Sequence, residues 1–190
     1  MQNELNQEKG LQALIIFWSG TGNTEKVART IQAALEHRDV KVNTLKVEDA
    51  KDTELYDYDL VFLGAPSYMW QPPEPVQQFI KAKMKLHGDR GDIKLGAPKI
   101  PGKRAVVFCT YSGPHTGLRE ATPVCQYMGQ FFEHLGFDLA AEWYVVGEFH
   151  GRKDRSTQGR LGDIRGRPNA EDLGQVESDV SQLIESIRAA

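Results

Sequence analysis

Apolar positions along this chain fall into two alternating rhythms. Residues 11–18 (LQALIIFW) form a nearly unbroken apolar run that ends at Ser19. A short run of that kind suits a strand buried on both faces, as in a parallel sheet. Residues 59–65 (DLVFLGA) and 105–109 (AVVFC) repeat the pattern, while 40–47 (VKVNTLKV) alternates loosely and predicts a strand nearer an edge. A fifth strand is expected over 143–146, preceded by an extended stretch at 137–141.

Between these runs the spacing becomes helical. Val27, Ile31 and Leu35, with Ala28 and Ala34 beside them, mark one face of a helix. Pro75 opens a second helix carried by Val76, Phe79, Ile80 and Met84, since proline is at home in a first helical turn. Val124, Met128, Phe131 and Leu135 mark a third, with Gly136 placed to stop it. The clearest stripe is Val176, Val180, Leu183, Ile184 and Ile187. Asn169 stands before it as an N-cap, with Glu171 and Asp172 in the first turn.

Strands that alternate with helices predict an α/β fold: a doubly wound five-stranded parallel sheet with helices on both faces. Residues 11–190 read as one domain and residues 1–10 as a polar, disordered tail. Residues 85–103 and 147–169 show neither rhythm. Unpatterned segments of that length inside one domain are usually functional or disordered.

Composition narrows the class. An apolar fraction of 40% supports a core, and no run approaches the roughly 20 apolar residues of a membrane helix. The first ten residues lack the apolar stretch of a secretory signal, so a cytoplasmic protein is expected. Cys109 and Cys125 form no CxxC pair and lack metal-site spacing, which predicts two reduced thiols and no metal. A net charge of −3 lacks the basic footprint of a nucleic-acid binder.

The candidate chemistry begins directly after the first strand, at Ser19-Gly20-Thr21-Gly22-Asn23-Thr24. A helix N-terminus there offers unpaired N–H groups and roughly half a positive charge to an anion. Ser19, Thr21 and Thr24 add hydroxyls, Asn23 an amide, and the loop holds no cation. A triphosphatase loop needs Gly-Lys-Ser/Thr, but Asn23 and Thr24 follow Gly22. A dinucleotide fingerprint needs a third glycine where Glu25 stands. A terminal monophosphate fits best; the alternative is a tight turn that merely needs glycines and a capping threonine.

At these residues the chain resembles the flavodoxin superfamily, whose first loop is commonly written T/S-x-T-G-x-T. Ser19, Thr21, Gly22 and Thr24 match it, and Asn23 is the usual occupant of its slot. The resemblance implies a flavodoxin-like fold with FMN as cofactor, the phosphate lying in this loop. Pro66-Ser67-Tyr68-Met69-Trp70, after the third strand, resembles the superfamily's flavin-flanking loop. Tyr68 aligns best with its aromatic, and Trp70 is the second candidate, either against the flavin or packed on the protein or a neighbouring subunit. Thr110, Tyr111, Ser112, Gly113 and Gly117 fall in the loop that, by the same resemblance, wraps the flavin's far face and pyrimidine edge.

The third loop is also similar to that of the tryptophan-repressor-binding-protein type of NAD(P)H:quinone reductase. His115-Thr116-Gly117 followed by Glu120-Ala121-Thr122 carries the likeness, about one residue out of register and with Thr116 where that pattern has glycine. The resemblance implies NAD(P)H and a quinone-like acceptor as partners. His115 is then either a catalytic residue steering hydride or proton traffic, or a surface histidine. The other histidines, His37, His87, His134 and His150, are expected at solvated or helix-end positions. Arg152, Lys153, Arg155, Arg160, Arg165 and Arg167 gather in one segment, as a site for nucleotide phosphates or an acidic partner, or as a solvated or intersubunit face of a homo-oligomer. Carrier flavodoxins are strongly acidic, so this charge balance favours a reductase over a carrier docking on redox protein partners.

Overall fold

The computed structural model describes residues 10–189; most of the expected tail lies outside them. Five strands form the sheet: β1 (Gln12–Phe17), β2 (Lys41–Lys46), β3 (Leu60–Pro66), β4 (Arg104–Tyr111) and β5 (Asp138–Val146). All neighbouring pairs are parallel, in the order β2-β1-β3-β4-β5. The helices are α1 (Asn23–Glu36), α2 (Glu74–Asp89), α3 (Thr122–His134), a short α4 (Lys153–Thr157) and α5 (Ala170–Ala189). Every strand and helix expected from the apolar rhythms is present.

The two-residue period of the strands divides the core into two layers. Ala13, Ile15, Phe17, Leu60, Phe62, Val106 and Phe108 face α1 and α5. Leu14, Ile16, Val61, Leu63, Ala65, Val107 and Cys109 face α2 and α3. Because both faces of β1, β3 and β4 are covered, those strands read as continuous apolar runs, whereas the edge strand β2 alternates.

Helix ends follow the residues expected to set them. Asn169 Oδ1 accepts from the N–H groups of Glu171 (3.0 Å) and Asp172 (3.1 Å), while Asp172 Oδ2 accepts from the Asn169 N–H (2.9 Å). After α3 the N–H groups of Gly136 and Phe137 donate to Glu133 and Phe132, closing the helix and turning the chain into β5.

Some expectations need correction. The two extended stretches before and after Glu142 are one strand, in which Ala140 bulges out between partners of Ala105 and Val106. Residues 85–103 begin as the last turns of α2 and then cross to the end of α3, where the Ile100 N–H donates to Gly136. Residues 147–169 hold α4 and the buried side chains of Ser156 and Ile164. His87 does stand at the end of α2, but it is fully buried there; its Nδ1 lies 2.9 Å from Asp92 Oδ2 and its ring meets Tyr56 edge-on. Among the described residues no helix is long and apolar enough to cross a membrane.

Candidate functional site

The winding reverses between β1 and β3, so the loops leaving their carboxyl ends diverge and open a crevice. There the sequence-predicted loops after β1, β3 and β4 converge on one cavity of about 460 Å³. Ser19, Gly20, Thr21, Asn23, Thr24, Pro66, Ser67, Tyr68, Met69, Trp70, Thr110, Tyr111, Ser112, Gly113 and His115 all line it. Gly22 and Gly117 do not. Gly22 caps α1 in a left-handed conformation, φ 95°, and Gly117 supports the third loop through its N–H to the Gly113 carbonyl.

In the first loop Ser19 Oγ accepts from the Gly22 N–H (3.1 Å), and the Gly22 carbonyl accepts from Lys26 (2.9 Å). Among the described residues the N–H groups of Gly20, Thr21, Asn23, Thr24 and Glu25 have no acceptor. That row of free donors at a helix N-terminus is an anion cradle. Thr24 is less available than its residue type suggests, because its Oγ1 lies 2.7 Å from Thr110 Oγ1 in a buried pair. The Asn23 side chain is likewise engaged: Nδ2 donates to the Glu148 carbonyl (3.0 Å), and Oδ1 faces His150 Nε2 (3.3 Å).

The second loop is a two-residue turn. Tyr68 and Gln71 exchange backbone hydrogen bonds of 3.0 and 3.1 Å across Met69 and Trp70, both with positive φ. Asparagine and glycine usually fill such turns; methionine and tryptophan there are strained. The turn holds Met69 82% and Trp70 57% exposed at the cavity mouth. Tyr68 leans the other way, edge-on to Trp18 at 5.8 Å. Replacing Met69-Trp70 by Asn-Gly should therefore raise the stability of the ligand-free protein by about 1–3 kcal/mol. Urea denaturation measures this, and an unchanged midpoint would mean the turn is relaxed.

The third loop is tied at both ends. Glu120 Oε1 accepts from the N–H groups of His115 (2.8 Å) and Thr116 (2.6 Å), and Ser67 Oγ donates to the Glu120 carbonyl. His115 is thereby fixed at the rim with its side chain exposed. Burial pushes the Tyr68 and Tyr111 hydroxyls up, so both remain neutral donors. Cys109, one residue below Thr110, belongs to the core, and burial pushes its thiol well up, away from redox chemistry at neutral pH.

Sequence reasoning missed a fourth wall. Gly147, Glu148, Phe149, His150 and Arg155, on the segment after β5, also line the cavity, together with Pro114 and Glu120. The sequence did carry one signal, an unpatterned stretch leaving the carboxyl end of a parallel strand, but nothing local fixed where it folds. No group of three or more histidine, cysteine or acidic side chains capable of holding a metal exists among the described residues.

A parallel sheet wound 2-1-3-4-5, with an anion cradle after β1 and aromatic loops after β3 and β4, defines a flavodoxin-like domain. The family description "Flavodoxin domain" matches residues 14–135, well over half of the chain. Flavodoxin from Megasphaera elsdenii is 31% identical over 99 residues, which are 51% of this chain and 63% of that protein, so the chain spans just under two thirds of that relative. NAD(P)H dehydrogenase (quinone) from Archaeoglobus fulgidus is 26% identical over 166 residues, 73% of this chain and 82% of that protein. The solved structure of oxidised Flavodoxin 2 from Bacillus cereus shares the fold, with a TM-score of 0.64 at 18% identity over 92% of this chain and 99% of that one. The chain belongs to the flavodoxin domain family. FMN is the cofactor of that family, and the residues present fit it, with free N–H donors and hydroxyls in the first loop and aromatic side chains in the second and third.

Proposed function

We propose that this protein is an FMN-dependent oxidoreductase that takes electrons from NAD(P)H and passes them to a quinone or similar acceptor. One observation carries this reading: the backbone N–H groups of His115 and Thr116 both donate to Glu120, which positions the His115 imidazole at the cavity rim. The similarity to the Archaeoglobus NAD(P)H dehydrogenase (quinone) over most of its length supports it.

FMN, when bound, supplies the electron-transfer chemistry. In this reading Ser19, Thr21 and the free N–H groups of the first loop hold its phosphate, and Tyr68 and Trp70 flank its ring. Tyr111, Ser112 and Gly113 line its polar edge, and the His115 imidazole stands at the open face. Pro66 and Pro72 brace the aromatic turn, so that ring contacts are made without ordering a loose loop.

A second reading, an electron carrier between redox proteins, draws on the Megasphaera flavodoxin and on the exposed Tyr68, Met69 and Trp70 as an apolar docking rim. Stopped-flow mixing separates the two. For the reductase, NADH or NADPH alone should bleach the FMN-loaded protein, and benzoquinone should restore the oxidised spectrum over many cycles. His115→Ala should slow one half-reaction while FMN stays bound. Negligible bleaching by pyridine nucleotides, with dithionite reduction in two well-separated one-electron waves, would identify the carrier.

A further inference from the structure

The first loop offers the flavin phosphate only neutral donors, and a helix N-terminus supplies roughly half a positive charge against a dianion. The fourth wall supplies what that loop lacks. We propose that the segment after β5 closes the phosphate end of the cavity with two basic side chains, Arg155 and His150, so that the phosphate of FMN is held by charge as well as by neutral hydrogen bonds. The inference rests on FMN as the cofactor and is independent of what reduces it.

The basic cluster of this segment is not uniform. Arg152 is paired with Asp154 (3.0 Å), Arg165 with Asp163 (2.5 Å) and Arg167 with Asp172, each guanidinium already neutralised. Among the described residues Lys153, Arg155 and Arg160 have no carboxylate within ion-pair distance, and of these only Arg155 lines the cavity. Its guanidinium lies 4.8 Å from the centroid of the Phe149 ring. That contact orients the cation and leaves its N–H donors and its charge available.

The wall is built to hold that position. Ser156 is buried, its Oγ accepts from the Phe149 N–H (3.0 Å) and donates to the Phe149 carbonyl (3.1 Å), and its own carbonyl accepts from Ile164 (2.8 Å). Phe149 and Arg155 are thus fixed to each other across a closed knot rather than carried on a loose loop.

The knot is also fastened to the phosphate loop. Asn23, the first residue of α1, donates through Nδ2 to the Glu148 carbonyl, which turns its Oδ1 toward His150. That oxygen accepts only, so His150 Nε2 carries the hydrogen in this contact. Gly147 lies so near that a Cβ there would come 2.7 Å from Asn23 Nδ2. His150 therefore stands one side chain from the row of free N–H groups. The two carboxylates of the cavity do not compete for these cations, since Glu120 accepts from the third-loop backbone and Glu148 Oε2 from the Gly166 N–H (2.8 Å).

Flavin fluorescence titrations of the refolded apoprotein test the proposal, with FMN and riboflavin as ligands over a series of salt concentrations. Arg155→Gln should weaken FMN about tenfold or more, leave riboflavin unchanged and flatten the salt dependence of FMN binding. Arg155→Lys should restore part of the loss, and Arg152→Gln, which removes an already paired cation outside the cavity, should change neither ligand. Equal losses for FMN and riboflavin would make Arg155 a structural residue and overturn the proposal. Unchanged FMN affinity with a raised KM for NADPH or NADH would overturn it too, assigning the cation to a nucleotide phosphate.

Discussion

Gly22→Val is expected to lower the affinity for FMN about a hundredfold while leaving that for riboflavin within a fewfold of its starting value. Gly22 sits at φ 95°, where a β-branched residue is strongly disfavoured, and nothing lies within 4 Å of where a Cβ would go. The substitution therefore acts through the backbone alone. A valine that drags φ negative rotates the two peptides flanking residue 22 relative to each other, one whose N–H bonds Ser19 and one whose carbonyl starts α1. The free N–H groups on either side, from Thr21 to Glu25, then lose their common aim. Each hydrogen bond to a charged group is worth about 1.5–3 kcal/mol, so losing one or two gives the expected drop. Riboflavin lacks the phosphate and serves as the control. Equal loss of both ligands in a fluorescence titration would mean that the loop only shapes the cavity.

The second large effect is on stability. Gly64→Ala should destabilise the flavin-free protein by about 3 kcal/mol, at the upper end of overpacking costs. Gly64 pairs with Phe17 of β1 on one side and Phe108 of β4 on the other, in the middle of the sheet. A Cβ at Gly64 would overlap the Phe108 ring, which is fully buried and has no free space to turn into. Phe108→Ala alone leaves a cavity and should cost about 3–5 kcal/mol. In the double variant the new methyl fills part of that cavity, so the combined loss should fall clearly short of the sum. Urea denaturation of the four proteins gives the coupling. Additive losses would show that β3 shifts to admit the methyl, and such a shift would carry Ala65 and Pro66, the entry to the aromatic turn, with it.

Much of the site was readable because its residues are adjacent in the chain. The glycines and hydroxyls of residues 19–24 follow a buried strand and precede a helical stripe, and that order alone places them at a helix N-terminus. The aromatic turn was visible as residue types, but its conformation was not: Met69 and Trp70 are poor choices for positive φ, and local preference predicts a different turn. Asn23 looked like a phosphate donor from its place in the motif; in the fold its side chain serves residues 148 and 150. His87 gave no sign of burial, because the groups around it, Asp92, Glu54 and Tyr56, come from two separate stretches of chain.

The sequence by itself therefore determined the strands and helices, their two-sided burial and the placing of the glycine- and hydroxyl-rich loop at a helix N-terminus, since each depends on spacings of two to four residues. Tertiary structure decided which long segments reach the cavity. The bonds joining Asn23 to Glu148 and His150 close loops of more than a hundred residues, and no periodicity encodes such a contact. Its position is set by where β5 ends in the sheet and by the knot around Ser156. The fourth wall, with the guanidinium of Arg155, exists only once those distant pieces have packed together.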